Sequence, residues 1–347
     1  MIGLVALYSA NGGIEGNTEE VTKHFTWFIT GIILMIILMS IDYEVLGKLW
    51  IPFYVLMLLA LFLVLFTEPI QGATSWFMFG AVSIQPSEFS KIILIIGLAK
   101  IITWINEKKK LNNPLYLLLI LLFIAVPTLL IIRQPDYGTA MVILVVSAIM
   151  MFSAGISLWY VLGSLILIGA SLPFIYLYIL PIHAKERINV FLNPQSDPLG
   201  SGYNIIQSIL AVGSGQVWGM GLFNGNQTQL GYLPMKTTDF IFSVISEEMG
   251  FVMSMVIVVL FVLLIIRTFH IAKNAKDMLG SLMAAGIGAM FLAHFVENVG
   301  MTIGLMPITG IPLPFISYGG SSMLTNCIAI GILLSINRKR KKKMFME

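Results

Sequence analysis

Charge is what this sequence has least of. Only 11% of its 347 residues are Asp, Glu, Lys or Arg, while 58% are apolar. A soluble domain carries about 25% charged residues, because its surface must meet water. With a mean hydropathy of +0.92 the chain has no such surface. A water-soluble globular fold is excluded, and the bilayer is the solvent. Cysteine is nearly missing too: Cys327 stands alone in the last apolar run, so no disulfide framework can form. The first residues, MIGLVALYS, have no basic leader and no cleavage site, so no removable signal peptide is expected. The glycine-rich GSGQVWGMG is not followed by Gly-Lys-Ser/Thr, which excludes a nucleotide phosphate loop there.

What the chain does have is long apolar runs. Spans are predicted near 25–41, 50–66, 87–104, 115–132, 138–154, 157–180, 240–266, 279–303 and 321–336. Residues 1–9 read as the tail of a further span. The fold class expected is an all-α polytopic membrane protein, one transmembrane domain over 1–347, with about ten transmembrane helices and a long extracellular loop, 181–239, between helices 7 and 8. Basic residues set its orientation. With the C-terminus inside, thirteen basic residues fall on the cytoplasmic side: Lys48, Lys108, Lys109, Lys110, Arg267, Lys273, Lys276 and the run from Arg338 to Lys343. Five fall outside: Lys23, Arg133, Lys185, Arg187 and Lys236. Both termini are therefore expected in the cytoplasm, with residues 338–347 a basic tail that anchors topology. Within the long loop, GYNIIQSILAVGSG has helical apolar spacing and is expected to lie along the membrane surface.

Ionisable groups at membrane depth are costly, and each needs a reason. Here they gather at the outer ends of spans. Glu88 and Lys91 share a helix face. Arg133 and Asp136 flank Pro135. Asp239 opens an apolar run, and Glu247 follows about 12 Å further along at the helical rise. His294, Glu297 and Asn298 share one face of the ninth span. Plainer explanations exist for each. Glu88 with Lys91 can hold helices together, Arg133 with Asp136 can be an interfacial ion pair, Asp239 can cap its helix, and Glu247 and Glu248 can be helix contacts. His294 has no second ligand at metal-binding spacing. Residues 304–322, GLMPITGIPLPFISYGGSS, have prolines at 307, 312 and 314 and glycines at 304, 310, 319 and 320. No regular span can form there, and such backbone survives at membrane depth only when buried in protein or lining a polar cavity.

That stretch, extended to ENVGMTIGLMPITGIPLPFISYGGSS, resembles the signature of the SEDS family (shape, elongation, division and sporulation proteins). SWFMFGAVSIQPSEFSK, RQPDYGTA, FLNPQSDPLGSGYNIIQS and TTDFIFSVISEEMGF match it in family order. RQPDYGTAMV and SDPLGSGYNIIQS are closer to the RodA branch than to FtsW or SpoVE. LPMKTTDF departs from the family's usual residues before its TDF triplet.

The resemblance implies a peptidoglycan glycosyltransferase of the bacterial cytoplasmic membrane. It would polymerise lipid II, support cell elongation and shape, and work with a class B penicillin-binding protein. Membrane lipid is its setting, and nucleic acid is not expected as a partner. The family's proposed catalytic residue corresponds to Asp239, as general base. Glu88, Lys91, Arg133, Asp136, Lys185, Arg187, Lys236, Ser317 and Ser321 are the expected substrate-binding residues. A divalent cation, Mg or Mn, could share the phosphate charge, but no ligand cluster demands one. Two other classes stay open on the residues alone: a lipid II flippase or transporter, and a non-catalytic scaffold for a penicillin-binding protein.

Overall fold

The structure, a computed structural model, describes residues 2–13, 18–69, 73–80, 82–157, 159–160, 162–163, 166, 169–170, 182–198 and 200–340. The span expected over 157–180 and the tail beyond 340 fall largely outside them. The described chain is helical apart from one small hairpin. Helices α1 (Ile2–Ala10), α2 (Glu19–Ser40), α3 (Tyr43–Lys48) and α4 (Trp50–Leu63) lead to strands β1 (Phe77–Phe79) and β2 (Val82–Ile84). Then come α5 (Pro86–Glu107), α6 (Pro114–Arg133), α7 (Tyr137–Ser153), α8 (Ile182–Leu192), α9 (Ser201–Ser214) and the single turn α10 (Asn226–Gln229). The last three are α11 (Ile241–Lys273), α12 (Met278–Thr302) and α13 (Gly320–Arg338).

Five of these, α2, α6, α11, α12 and α13, are long and apolar enough to cross a membrane, and α4 and α7 are shorter apolar helices. This is an all-α polytopic membrane protein. The described spans start where the local chemistry predicts. Pro86 and Pro114 occupy first-turn positions, where a missing N–H costs nothing. Asn113 caps α6 by accepting from Leu115 N at 2.9 Å, and Asp136 caps α7 by accepting from Thr139 N at 3.1 Å. Two features were not expected. One is the antiparallel hairpin, which pairs Phe77 with Ile84 and turns through Gly80 at φ 62°. The other is a break in α11 at Gly250, whose φ of 73° and ψ of −174° are non-helical.

The chain divides into two compact units: residues 1–26, 159–262 and 294–319, and residues 27–158, 263–293 and 320–347. The division falls inside α2, α11 and α12, so it follows packing rather than sequence. In the second unit α5 lies at the centre, packed by α3, α4, α6, α7 and α13. Tyr54 of α4 stacks on Phe123 of α6 at 4.2 Å and donates to its carbonyl at 2.8 Å. Three segments expected on the cytoplasmic side meet in this unit. Asp42 caps α3 and pairs with Lys339, and Glu44 lies 3.3 Å from Lys276 Nζ. The hydrogen bond from Lys339 holds the Asp42 carboxyl below its ordinary range. The core of the first unit is built from Ala6, Leu7 and Ala10 of α1, Phe240 to Ile245 around the start of α11, and Leu313 and Ile316.

Candidate functional site

Asp239 stands in the first unit, half-exposed, immediately before a buried apolar run. Phe240, Ile241, Phe242, Val244 and Ile245 are each 4% exposed or less, which anchors this end of α11. Asp239 stands one residue before the cap position of α11. The first helical carbonyl is that of Phe240, which accepts from Val244 N at 3.3 Å. The Asp239 carbonyl instead accepts from Asn298 Nδ2 at 2.9 Å. The same amide group donates to Ile311 O at 2.8 Å, and Tyr318 N donates to Thr237 O at 2.8 Å. Residues 303–319 are therefore strapped across the 237–239 segment at two points. Gly310 lies beside Asp239: a Cβ added there would lie 3.6 Å from Asp239 Oδ2. Its φ of 74° suits glycine. Ser317 holds this loop's own shape, accepting from Leu313 N at 2.8 Å.

Lys236 lies one turn before Asp239. Its Nζ donates to Thr228 O at 2.9 Å. Burial pushes its pKa below the ordinary lysine value, against the opposing pull of Glu248 and Glu20. Behind it, Glu247 accepts from Gln227 N at 2.7 Å and from Thr228 N and Oγ1 at 3.0 and 2.6 Å. Glu248 accepts from Gln229 Nε2 at 2.8 Å, and that amide also donates to Ser9 O at 3.0 Å. The two glutamates thus grip a loop about twenty residues upstream. They are contacts, as the plainer explanation had it, made to the single helical turn α10 within that loop.

The break at Gly250 serves the same loop. Met220 N and Gly221 N donate to the carbonyls of Glu247 and Glu248, at 2.9 and 3.0 Å. In return Phe251 N and Val252 N donate to Gln216 O and Val217 O, at 2.9 and 3.2 Å. The chains approach too closely for side chains: a Cβ on Gly215 would sit 1.8 Å from Ser246 O, and one on Gly219 2.2 Å from Glu248 O. GSGQVWGMG is glycine-rich for close backbone contact. Sequence reasoning missed Thr228 and Gln229, and those glycines were the available signal.

The second unit holds Glu88, Lys91, Arg133, Asp136 and Ser321, while Lys185 and Arg187 belong to the first. Asp136 accepts from Ser87 Oγ at 2.9 Å and Gln85 Nε2 at 3.2 Å besides capping α7. Ser321 Oγ accepts from Gln85 N at 3.0 Å. Asp136, Ser87, Gln85 and Ser321 are thus brought together where α5, α7 and α13 begin. One turn on, Lys91 Nζ meets Glu88 Oε1 at 2.7 Å, with side chains only 1% and 3% exposed. This is a buried ion pair on α5. Among the described residues Arg133 and Asp136 form no ion pair; the Arg133 side chain is exposed. Lys185 is half-buried on α8, and the Arg187 side chain lies outside the description. Among the described residues no group of three or more His, Cys, Asp or Glu is arranged to hold a metal ion.

Comparison with known proteins gives one answer. The family profile described as cell cycle protein, that of FtsW, RodA and SpoVE, matches residues 1–342. Peptidoglycan glycosyltransferase MrdB of Escherichia coli K12 is 35% identical over 340 residues, 97% of this chain and 90% of that protein. Stage V sporulation protein E of Bacillus subtilis is 38% identical over 355 residues, 97% of this chain and 93% of that protein. RodA of Thermus thermophilus superimposes with a TM-score of 0.70 at 27% identity, over 98% of this chain and 93% of that one. A chain from a peptidoglycan synthase complex, whose structure concerns the coordination of polymerization and crosslinking, superimposes with a TM-score of 0.84 at 29% identity, over 98% and 94%. This membrane-embedded chain therefore belongs to the FtsW, RodA and SpoVE family of cell cycle proteins.

Proposed function

We propose that this chain is a peptidoglycan glycosyltransferase that polymerises lipid II at the outer face of the bacterial cytoplasmic membrane, with Asp239 as general base. Family membership and the names of its relatives support the activity. The observation that carries the site is the strapping of residues 303–319 across Asp239 by Asn298 and Tyr318. That arrangement fixes the backbone at Asp239 and holds its half-buried carboxylate beside the 303–319 loop.

The reaction joins a sugar hydroxyl to an anomeric carbon that carries a lipid pyrophosphate. Asp239 takes the hydroxyl proton as the new glycosidic C–O bond forms, a role worth about 10²–10⁴-fold. The old bond to pyrophosphate breaks, its electrons leave with the carrier, and the configuration inverts. Charge grows on the leaving oxygens, where a fixed cation contributes most. Lys236, one turn from Asp239, is that cation in the first unit. Glu88, Lys91, Arg133, Asp136, Lys185, Arg187, Ser317 and Ser321 serve substrate binding directly or by shaping its surroundings. The basic-residue asymmetry supports cytoplasmic termini. A class B penicillin-binding protein supplies crosslinking, in keeping with the synthase complex this fold resembles. The reading fails if purified chain, free of any other glycosyltransferase, makes no glycan strands from labelled lipid II.

A further inference from the structure

We propose that Glu247 is a positioning residue that aims Lys236 at the phosphate oxygens of the lipid-linked sugar; this rests on the polymerase reading above. Glu247 is fully buried, and its carboxylate receives three hydrogen bonds from two consecutive residues, Gln227 and Thr228. Such a carboxylate fixes the backbone that it binds, because every alternative leaves a buried charge without donors. Thr228 is itself fully buried, and its carbonyl is the acceptor for Lys236 Nζ at 2.9 Å. The path from Glu247 to the ammonium therefore runs through one residue. An ammonium has three N–H donors. The bond to Thr228 spends one of them and sets the direction of the rest.

The far side of Glu247 is fixed as well. Its own carbonyl accepts from Met220 N at 2.9 Å, three residues before the helix break. Gly225 keeps the approach open, since a Cβ there would lie 2.7 Å from Glu247 Oε2. Glu247 thus links the main-chain clamp at Gly250 to the Lys236 ammonium. A glutamine at 247 would turn one acceptor oxygen into a donor that faces N–H groups. The turn at 226–229 would shift, and Lys236 would lose its fixed direction.

The test is a double-mutant cycle on kcat/KM for lipid II polymerisation, using the purified full chain in detergent with its melting temperature recorded. Glu247→Gln and Lys236→Met are each expected to lower kcat/KM by about 10–100-fold, the range of a hydrogen bond to a charged group. The double variant is expected to be no worse than Lys236→Met alone, and KM is expected to rise in both single variants. Independent losses that multiply would make Glu247 a purely structural residue and overturn the proposal. If Glu247→Gln does not fold, Thr228→Val removes only the hydroxyl donor and Thr228→Ser restores it. A loss with valine that serine rescues, and that disappears in the Lys236→Met background, supports the chain of contacts; an unchanged kcat/KM with valine overturns it. A wild-type chain that makes no strands overturns the polymerase reading itself, a different failure from additivity among active variants.

Discussion

Replacing Asp239 by Asn separates chemistry from architecture, because main-chain contacts hold this segment in place. Its carbonyl is held by Asn298, its neighbour Thr237 is held by Tyr318 N, and Phe240 beside it is 1% exposed. None of these depends on the carboxylate. Asparagine has the same shape and half-exposed setting, so the stability change is expected to stay within about 0.5 kcal/mol. In melting temperature that is about 1–2 °C for a chain of this size. The chemical loss is much larger. An amide cannot accept the hydroxyl proton, so kcat is expected to fall by about 10²–10⁴-fold.

The assay is the conversion of labelled lipid II into glycan strands resolved on a gel, with lipid II retention measured on the same preparation. The expected result is a folded variant that retains substrate and makes almost no strands. Polymerisation at near wild-type rate would refute the role of base. A drop in melting temperature of many degrees would refute the structural half of the reasoning, since it would mean that the carboxylate itself holds the segment.

Four further outcomes follow from the structure. Gly250→Ala forces a Cβ to 2.3 Å from Gly219 N at φ 73°, and is expected to cost about 3 kcal/mol in thermal unfolding. Gly213→Ala, which meets nothing within 4 Å inside α9, should instead gain about 0.5 kcal/mol. Lys91→Met strands the Glu88 carboxylate inside the helices around α5 and is expected to cost about 3–5 kcal/mol, most of it recovered in the double variant with Glu88→Gln. Burial lowers the Lys236 pKa, so the active, charged form is lost on the alkaline side at a pH below that of an ordinary lysine. In Lys236→Arg the guanidinium stays charged, so the alkaline limb of the polymerisation profile should move upward. An unmoved limb would remove Lys236 from the reaction.

The helices were legible because their signals are local. Pro86, the Asn113–Pro114 pair and Asp136 each mark a start within one turn, and apolar runs fill the space between them. The position of Asp239 before an apolar helix could likewise be read directly. The break at Gly250 could not, because the residues around it, MGFVMSM, stay apolar and glycine is tolerated inside helices. Glu247 and Glu248 read as helix-face residues because spacing within a helix says nothing about a loop some twenty residues upstream. Glu88 and Lys91 were correctly placed on one face, yet their exposure depended on how many helices surround α5. Periodicity alone does not count those neighbours.

The break also explains how polar groups are tolerated in so apolar a chain. Interrupting a helix frees carbonyls before the gap and N–H groups after it, and in a bilayer each must find a protein partner. Here the 216–221 segment supplies four such partners in kind: its N–H groups meet the carbonyls of Glu247 and Glu248, and its carbonyls meet the N–H groups of Phe251 and Val252. The short helical piece between Ile241 and Gly250 is consequently clamped by main-chain bonds at its far end. Asn298 and Tyr318 clamp the turn at its near end. Main-chain clamps do not depend on the side chains at 235–237, so the chain can carry Met-Lys-Thr there and still present Asp239 in a fixed place. What those side chains can vary is the charge carried on this segment, and in this protein that charge is Lys236.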